Sequence, residues 1–470
     1  MRRAASFLVV ALAAPKPQYS PELDRQYDLG LERLYAKDFA TAAGRLHAVY
    51  RGLPETELKR EQAQFHLANA LRGMGLVQGA TELYIDVITG RRSPELVGRA
   101  LGVLEELVRA KQLDEQRLID QVLFGNQFGD LPPDTMEFVQ YYQGLGELRR
   151  GYHDWGQRRL EELAKSDEYY GLRARFALGV ERLSEGNEAG AEKILRALMD
   201  DPKAPGGIRN DARLAIARIS YERKKYQDAF DTYAKIDSPL SEQDVVLLEK
   251  AWNQLADRDE RKALGLVMGL GAPVYRRLFA PERALLRALA LKRLCQFRAA
   301  RLTVTEFRKK YRATLQRVRE RKSLLDDAEL RNAVMRRDDL LPTRKWRDRL
   351  EVERTTAQNL PDQELSGFLR GIYDTKLALA QVQLGRHLEK AIDRLASELL
   401  LVDEQMSILD YELGIELFKR IGDEGVVVRE GGQRAKVPAA GSRAYFRFNG
   451  EYWSDEIHDL QVLVEDRCVR

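Results

Sequence analysis

Cysteine is nearly missing: 470 residues hold two, Cys295 and Cys468. Two thiols cannot staple a small fold, and these lack the spacing of a structural zinc site. Histidine is scarce and scattered (His47, His66, His153, His387, His458), with no metal-ligand spacing. Proline, at 15 residues, is too sparse for a low-complexity chain. No stretch approaches the roughly 18 uncharged apolar residues of a membrane-spanning helix. A glycine-rich loop followed by Lys-Ser or Lys-Thr is lacking, as are Gly-x-Gly-x-x-Gly after a strand and a serine in a nucleophile elbow. Paired acids such as Glu105-Glu106 and Glu161-Glu162 fall on faces expected to be solvated. An excess of one charge is lacking too. The 77 Lys+Arg against 73 Asp+Glu leave +4, without the concentrated positive charge of a nucleic-acid module. These absences leave no candidate catalytic residue, metal ligand or cofactor site. The expectation is a non-enzymatic protein without a cofactor and without nucleic acid as partner.

What the chain has is charge and helical periodicity: 32% of it is Asp, Glu, Lys or Arg, which suits an ordered, helical protein. At the N-terminus, Arg2 and Arg3 precede an uncharged apolar run over residues 7–14, and Ala11-Leu12-Ala13 offers small residues at the spacing signal peptidase prefers. Residues 1–14 are therefore expected to be a signal peptide, which places the mature chain in the periplasm. A frayed apolar start on a cytosolic protein is the other reading. No cysteine follows the run, so a lipid-anchored signal is not expected.

A repeat organises residues 24–308. Small residues early in a second helix recur at Ala42, Ala80, Gly156, Ala191, Ala229, Ala263 and Ala300, at intervals of 38, 76, 35, 38, 34 and 37. The 76 is two periods, so a degenerate third copy is expected near Leu118, and eight units result. Twelve residues before each marker lies another small residue: Gly30, Ala68, Gly144, Gly179, Ala217, Ala251 and Ala288. Four and seven residues after each marker come large apolar ones, as in Tyr233 and Ile236. Small residues let two helices cross closely, and the apolar ones pack against the next unit. Gly75, Gly151 and Gly186 fall five residues before their markers, where a helix ends on a left-handed residue. Pro54, Pro94, Pro202, Pro239 and Pro273 fall between units.

The pattern resembles the tetratricopeptide repeat, most clearly over 213–239 with Ala217, Tyr226, Ala229 and Tyr233 in the family's places. Most units lack the family's early tryptophan, and several intervals exceed its period. The resemblance implies an all-α solenoid over residues 15–308, a right-handed superhelix of helix pairs, whose first helices line a concave groove. On that implication the groove would present Tyr27, Phe65, Asn69, Tyr141, Phe176, Arg218, Tyr221 and Trp252 to an extended or helical peptide. Packing of some of these against neighbouring units is the competing reading.

Residues 309–421 are expected to form a long-helix hairpin. Its basic first part, counted over 308–354, carries 16 basic against 9 acidic residues. The second part holds a heptad seam: Leu388, Ile392, Leu395, Leu399, Val402, Met406, Leu409 and Leu413. That coiled-coil-like seam calls for a partner helix, within this chain or in a second copy, so the oligomeric state stays open. Residues 422–470 are expected to be a small β-rich tail, with strands at 426–428, 444–448 and 460–464 and a hairpin turn at Asn449-Gly450. One bridge between Cys295 and Cys468 would tie that tail to the end of the repeats. Two unrelated buried thiols are the alternative. Gly450-Glu451-Tyr452-Trp453 with Asp455, Glu456 and Cys468 is faintly similar to the tails of periplasmic repeat proteins of myxobacteria and relatives, some of them parts of gliding-motility envelope machinery. The resulting expectation is a scaffold in the bacterial cell envelope that binds partner proteins in its groove. An adaptor meeting peptidoglycan or anionic lipid through the basic helix, or an enzyme subunit completed by a partner, are the alternatives. The membrane would be met only through partners or weakly through that helix.

Overall fold

The computed structural model describes residues 21–129, 131–239, 243–275, 279–335, 340–424, 449–452 and 457–468. The expected signal peptide and the strands expected at 426–428 and 444–448 lie outside them. Among the described residues the regular structure is all helical, consistent with an α-solenoid, and there is no strand. No described helix is long and apolar enough to cross a membrane.

Eight helix pairs follow one another: α1 (Pro21–Tyr35) with α2 (Phe39–Gly52), α3 (Leu58–Gly73) with α4 (Val77–Gly90), α5 (Pro94–Arg109) with α6 (Glu115–Leu118), α7 (Pro133–Arg149) with α8 (His153–Leu163), α9 (Tyr169–Ser184) with α10 (Glu188–Met199), α11 (Gly206–Glu222) with α12 (Tyr226–Ala234), α13 (Asp244–Ala256) with α14 (Glu260–Gly269), and α15 (Glu282–Arg293) with α16 (Phe297–Arg319). Helices α17 (Ala328–Val334), α18 (Leu341–Gln358) and α19 (Gln363–Glu424) come after. The degenerate third pair is the irregular one, since α6 runs on as a π-helical turn, Ile119–Leu123.

The small positions do what their size suggests. All seven second-helix markers and all seven first-helix partners are buried. A Cβ on Gly30 would come within 2.9 Å of Leu46, one on Gly144 within 2.9 Å of Leu160, and one on Gly179 within 2.8 Å of Leu195. The first-helix small residue therefore receives the large residue four places after the marker, unit after unit. The turns repeat too. Lys37, Gly75, Gly151, Gly186, Lys224, Arg258 and Cys295, each five residues before its marker, have φ of 61°, 80°, 83°, 76°, 61°, 65° and 53°. In each, the next residue's N–H returns to a carbonyl five residues back, as in Leu76 to Leu71 at 2.9 Å and Gln296 to Leu291 at 2.9 Å. That is the Schellman stop, which satisfies the carbonyls at the end of each first helix. Asp38, Ser93, Asp114, Asn187 and Asp259 then cap the N-termini of α2, α5, α6, α10 and α14.

Packing divides the chain into two compact units: Met1–Thr135 with Trp346–Leu379, and Met136–Lys345 with Ala380–Arg470. The divisions at 308 and 421 drawn from composition do not coincide with this grouping. In the first unit, Phe368 of α19 packs on His47 and Tyr50 of α2, with ring centroids 4.9 and 5.8 Å apart. In the second unit, α19 lies on the last repeats. Leu399, Val402, Met406, Leu409 and Leu413 share one core with Leu285, Leu286, Phe307 and Tyr311, while Ile392 and Leu395 join Leu330 and Val334 of α17. Arg308 pairs with Asp410 at 2.7 Å, Lys292 with Glu412 at 2.6 Å, and Arg319 with Asp403. The heptad seam is thus buried within the chain, against repeat helices and α17.

Two expectations are corrected. The basic stretch is not one long helix facing the seam, because it is distributed over the end of α16, α17 and α18. The β-rich tail is not supported either. Residues 460–464 form no ladder, and α19 continues to Glu424, past the expected boundary at 421. The alternation of Leu460, Val462 and Val464 is satisfied by a helix surface: Val462 donates its N–H to the Arg261 carbonyl of α14 at 3.1 Å.

Candidate functional site: a cavity beneath the tail

The last part of the chain returns to the seventh and eighth helix pairs, and α14 is built to receive it. Gly265 and Gly269 lie one turn apart on one face of it, both buried, with Gly271 just beyond its end. The Leu460 carbonyl rests against Gly265, where any Cβ would collide with it. A Cβ on Gly269 would meet the Ile457 carbonyl at 2.9 Å, and one on Gly271 the Tyr452 hydroxyl at 2.6 Å. At Gly265 and Gly269 glycine is what allows the tail backbone to approach so closely. The Arg261 guanidinium donates to the Val464 carbonyl at 3.1 Å, the Gln296 amide to Glu465 at 2.6 Å, and Arg467 N–H to the Leu294 carbonyl at 3.0 Å. Ile457 is buried in the core of these repeats. The segment ends in a disulfide: Cys468 is bonded to Cys295, with Cα atoms 5.0 Å apart. Cys295 occupies the left-handed turn position that other units fill with Gly, Lys or Arg.

Within electrostatic reach of Asp459 lies Lys250, buried with its ammonium 4.7 Å from the Phe230 ring centre. Burial pushes its pKa down to about 8, with Lys262 acting in the same direction and Asp459 of the tail opposing both.

Tyr452, Val462 and Val464 also line an open cavity of about 770 Å³. Its other walls are Leu264, Val267 and Met268 of α14, Ala284 and Leu291 of α15, Phe307 and Tyr311 of α16, and Ala333 of α17. The charged groups on its lining are already engaged. Arg287 pairs with Glu306 at 3.4 Å, Lys310 with Glu329 at 3.8 Å, and Arg283 donates to the Leu270 carbonyl at 2.7 Å. Tyr275 also lines it, but its hydroxyl is buried out of reach of the open space and has no protein partner, and burial pushes its pKa up to about 12. The space is several side chains in size, lined by apolar and polar groups together, with three cations against two carboxylates. Such a site suits a ligand segment that brings both apolar and polar groups. Among the described residues no group of His, Cys, Asp and Glu is placed to hold a metal ion.

The residues expected to line a groove are mostly spent on contacts between neighbouring helices. In the first unit, Tyr27 is buried edge-on to His66 with the Lys59 ammonium 5.2 Å from its ring centre, and Phe65 is buried under the Arg99 guanidinium at 4.7 Å. Asn69 accepts a hydrogen bond from the Tyr84 hydroxyl at 2.6 Å. In the second unit, Tyr141 is buried and accepts from Arg173 at 3.1 Å, while Phe176 packs half-buried on the core of α9 to α11. Arg218 clasps Glu249 with contacts from 2.6 to 3.2 Å, Tyr221 packs on Tyr226 with centroids 5.7 Å apart, and Trp252 donates to Glu282 at 3.2 Å. Tyr27, Phe65 and Tyr141 are therefore closed to a partner in this structure. Sequence reasoning missed the cavity. Its available signal was the Gly265-Gly269-Gly271 spacing, glycines that the helix-crossing positions do not use.

Neither the comparison with protein-family models nor that with curated proteins gives a match for this chain.

Proposed function

We propose that the chain is a non-enzymatic helical-repeat scaffold of the tetratricopeptide type that holds an apolar segment of a partner protein, acting in the bacterial cell envelope as part of a motility or envelope assembly. The observation that carries the reading is the cavity of about 770 Å³ between α14, α15, α16, α17 and the tail, whose walls include Leu264, Val267, Met268, Leu291 and Phe307. Its volume exceeds any one side chain, so it fits two or three apolar anchors of a helix or extended segment. The Cys295–Cys468 bond supports an oxidising compartment and hence export. The basic stretch offers less to peptidoglycan or lipid, because Arg319, Arg344, Arg347, Arg349 and Arg354 are engaged by acceptors of this chain.

Ala284→Trp tests the proposal by filling the cavity, with Val352→Ala as a control on an exposed residue. A photo-reactive side chain at Met268 should crosslink one or a few envelope proteins in the parent and Val352→Ala chains, and lose them in Ala284→Trp. Unchanged crosslinks in the filled variant would sink the cavity as the docking site.

A further inference from the structure

Helix α19 carries a second apolar seam. Leu401, Ile408, Tyr411, Ile415 and Phe418 recur at steps of 7, 3, 4 and 3, so they share one face, turned away from the buried seam. Their exposures are 60, 62, 73, 38 and 78%, so this face is not packed on the repeats. A stripe of five large apolar residues, two of them aromatic, is more than scattered surface apolarity.

We propose that a second copy of this chain covers the stripe, the two α19 helices lying antiparallel about a two-fold axis between residues 409 and 410. The stripe is self-complementary in that sense. Leu401, Ile408, Tyr411 and Phe418 are spaced 7, 3, 7, which reads the same from either end. An antiparallel copy therefore sets Leu401 against Phe418 and Ile408 against Tyr411, each contact made twice, as an isologous interface requires. Charge selects the direction. A parallel, in-register pair would stack the two Glu404 carboxylates in one core layer. The antiparallel pair moves them to opposite ends, each beside Ile415 of the other copy and within a turn of that copy's Lys419, whose only described ion pair is the exposed one to Glu416 at 3.2 Å. Five side chains of this size present on the order of 600 Å² per copy, so pairing removes about 1,200 Å², the lower end of specific interfaces. The dimer is accordingly concentration-dependent. It uses α19 alone, so it stands independently of the cavity and of any envelope role.

The test is sedimentation equilibrium of the full chain across micromolar to hundred-micromolar concentrations, with helicity checked by circular dichroism. The parent chain should show a monomer–dimer equilibrium. Leu401→Glu and Phe418→Lys should each weaken it about ten-fold or more, as loss of two buried apolar contacts implies. The double variant should recover dimerisation, because antiparallel pairing sets each new Glu against a new Lys. Tyr411→Glu serves as a further single variant if either end position proves unstable. A chain monomeric throughout overturns the proposal, whether residues 425–448 or some other protein covers the stripe. A dimer indifferent to the single changes, or a double variant no better than the singles, overturns it as well.

Discussion

The carboxylate of Glu353 on α18 sits on the first turn of α4, accepting the Gln78 N–H at 2.8 and 2.9 Å through its two oxygens. It also takes the Gly79 N–H at 3.2 Å and the Tyr373 hydroxyl at 3.0 Å. A helix N-terminus presents unpaired donors and a positive dipole end, so a buried acid there satisfies both at once. Burial is the larger influence and holds this carboxyl above the usual range, against the pull of its donors. Gly79 makes the approach possible, since a Cβ there would sit 2.5 Å from the Tyr373 hydroxyl.

Replacing Glu353 by Ala should therefore destabilise the first unit by roughly 2–4 kcal/mol, the cost of leaving buried donors without an acceptor. Glu353→Gln keeps one acceptor oxygen and should cost less than half as much. Urea unfolding followed by hydrogen exchange at α4 checks both. Equal stability of the Ala variant and the parent would mean that the cap contributes nothing.

Left-handed turns at Lys37, Lys224 and Arg258 offer a gain instead. An L side chain at such φ costs about 1–2 kcal/mol, partly offset by the extra unfolded-state freedom of glycine. Lys224→Gly and Arg258→Gly should each stabilise by about 0.5–1 kcal/mol net. Gly186→Lys should do the reverse. Thermal unfolding of the three variants decides the point, and a fall in Tm for either glycine variant would contradict it.

These turns also show what was legible in the sequence. The crossing positions are readable because close backbone approach admits only Ala or Gly, so a spacing of twelve between Ala217 and Ala229 carries geometry directly. The turns are readable only where glycine marks them, at Gly75, Gly151 and Gly186. Lys, Arg or Cys in the same conformation leaves no compositional trace. The tail misled for a different reason: period two reports an extended chain, and Val462 finds its hydrogen bond on a helix carbonyl where a strand was expected. The groove residues misled because an aromatic at a first-helix position looks the same whether it faces solvent or, like Phe65, lies beneath an arginine of the next pair. Glu353 was invisible as a cap, since its partners lie some 275 positions away.

Acid should weaken the first unit through His66. Burial first, and Arg99 second, push its imidazole down to about 4. Its folded pKa is depressed, so between about 4 and its ordinary value near 6.5 the unfolded chain binds more protons than the folded one. Stability is therefore lost as pH falls through that window. His47, pushed down chiefly by burial, adds in the same direction. His66→Gln should flatten the decline between pH 6.5 and 4 in urea midpoints, while a decline of unchanged slope would assign it to other groups.

The Cys295–Cys468 bond and the Gly265 contact hold the same segment by independent means, which makes their roles separable. The bond spans 173 residues, a closure whose loss would by chain entropy alone cost on the order of 5 kcal/mol. Undocking the tail exposes less than unfolding the unit, so Cys468→Ser should release residues 457–468 while leaving α13 to α16 folded. Gly265→Val should do so with the bond intact, because its side chain would occupy the place of the Leu460 carbonyl. Limited proteolysis should cut the tail faster in both variants, with helicity preserved and the double variant little worse than either single. A tail as resistant in Gly265→Val as in the parent would show that the bond and the Gln296 and Arg261 hydrogen bonds suffice, and that the glycine face of α14 is not what seats it.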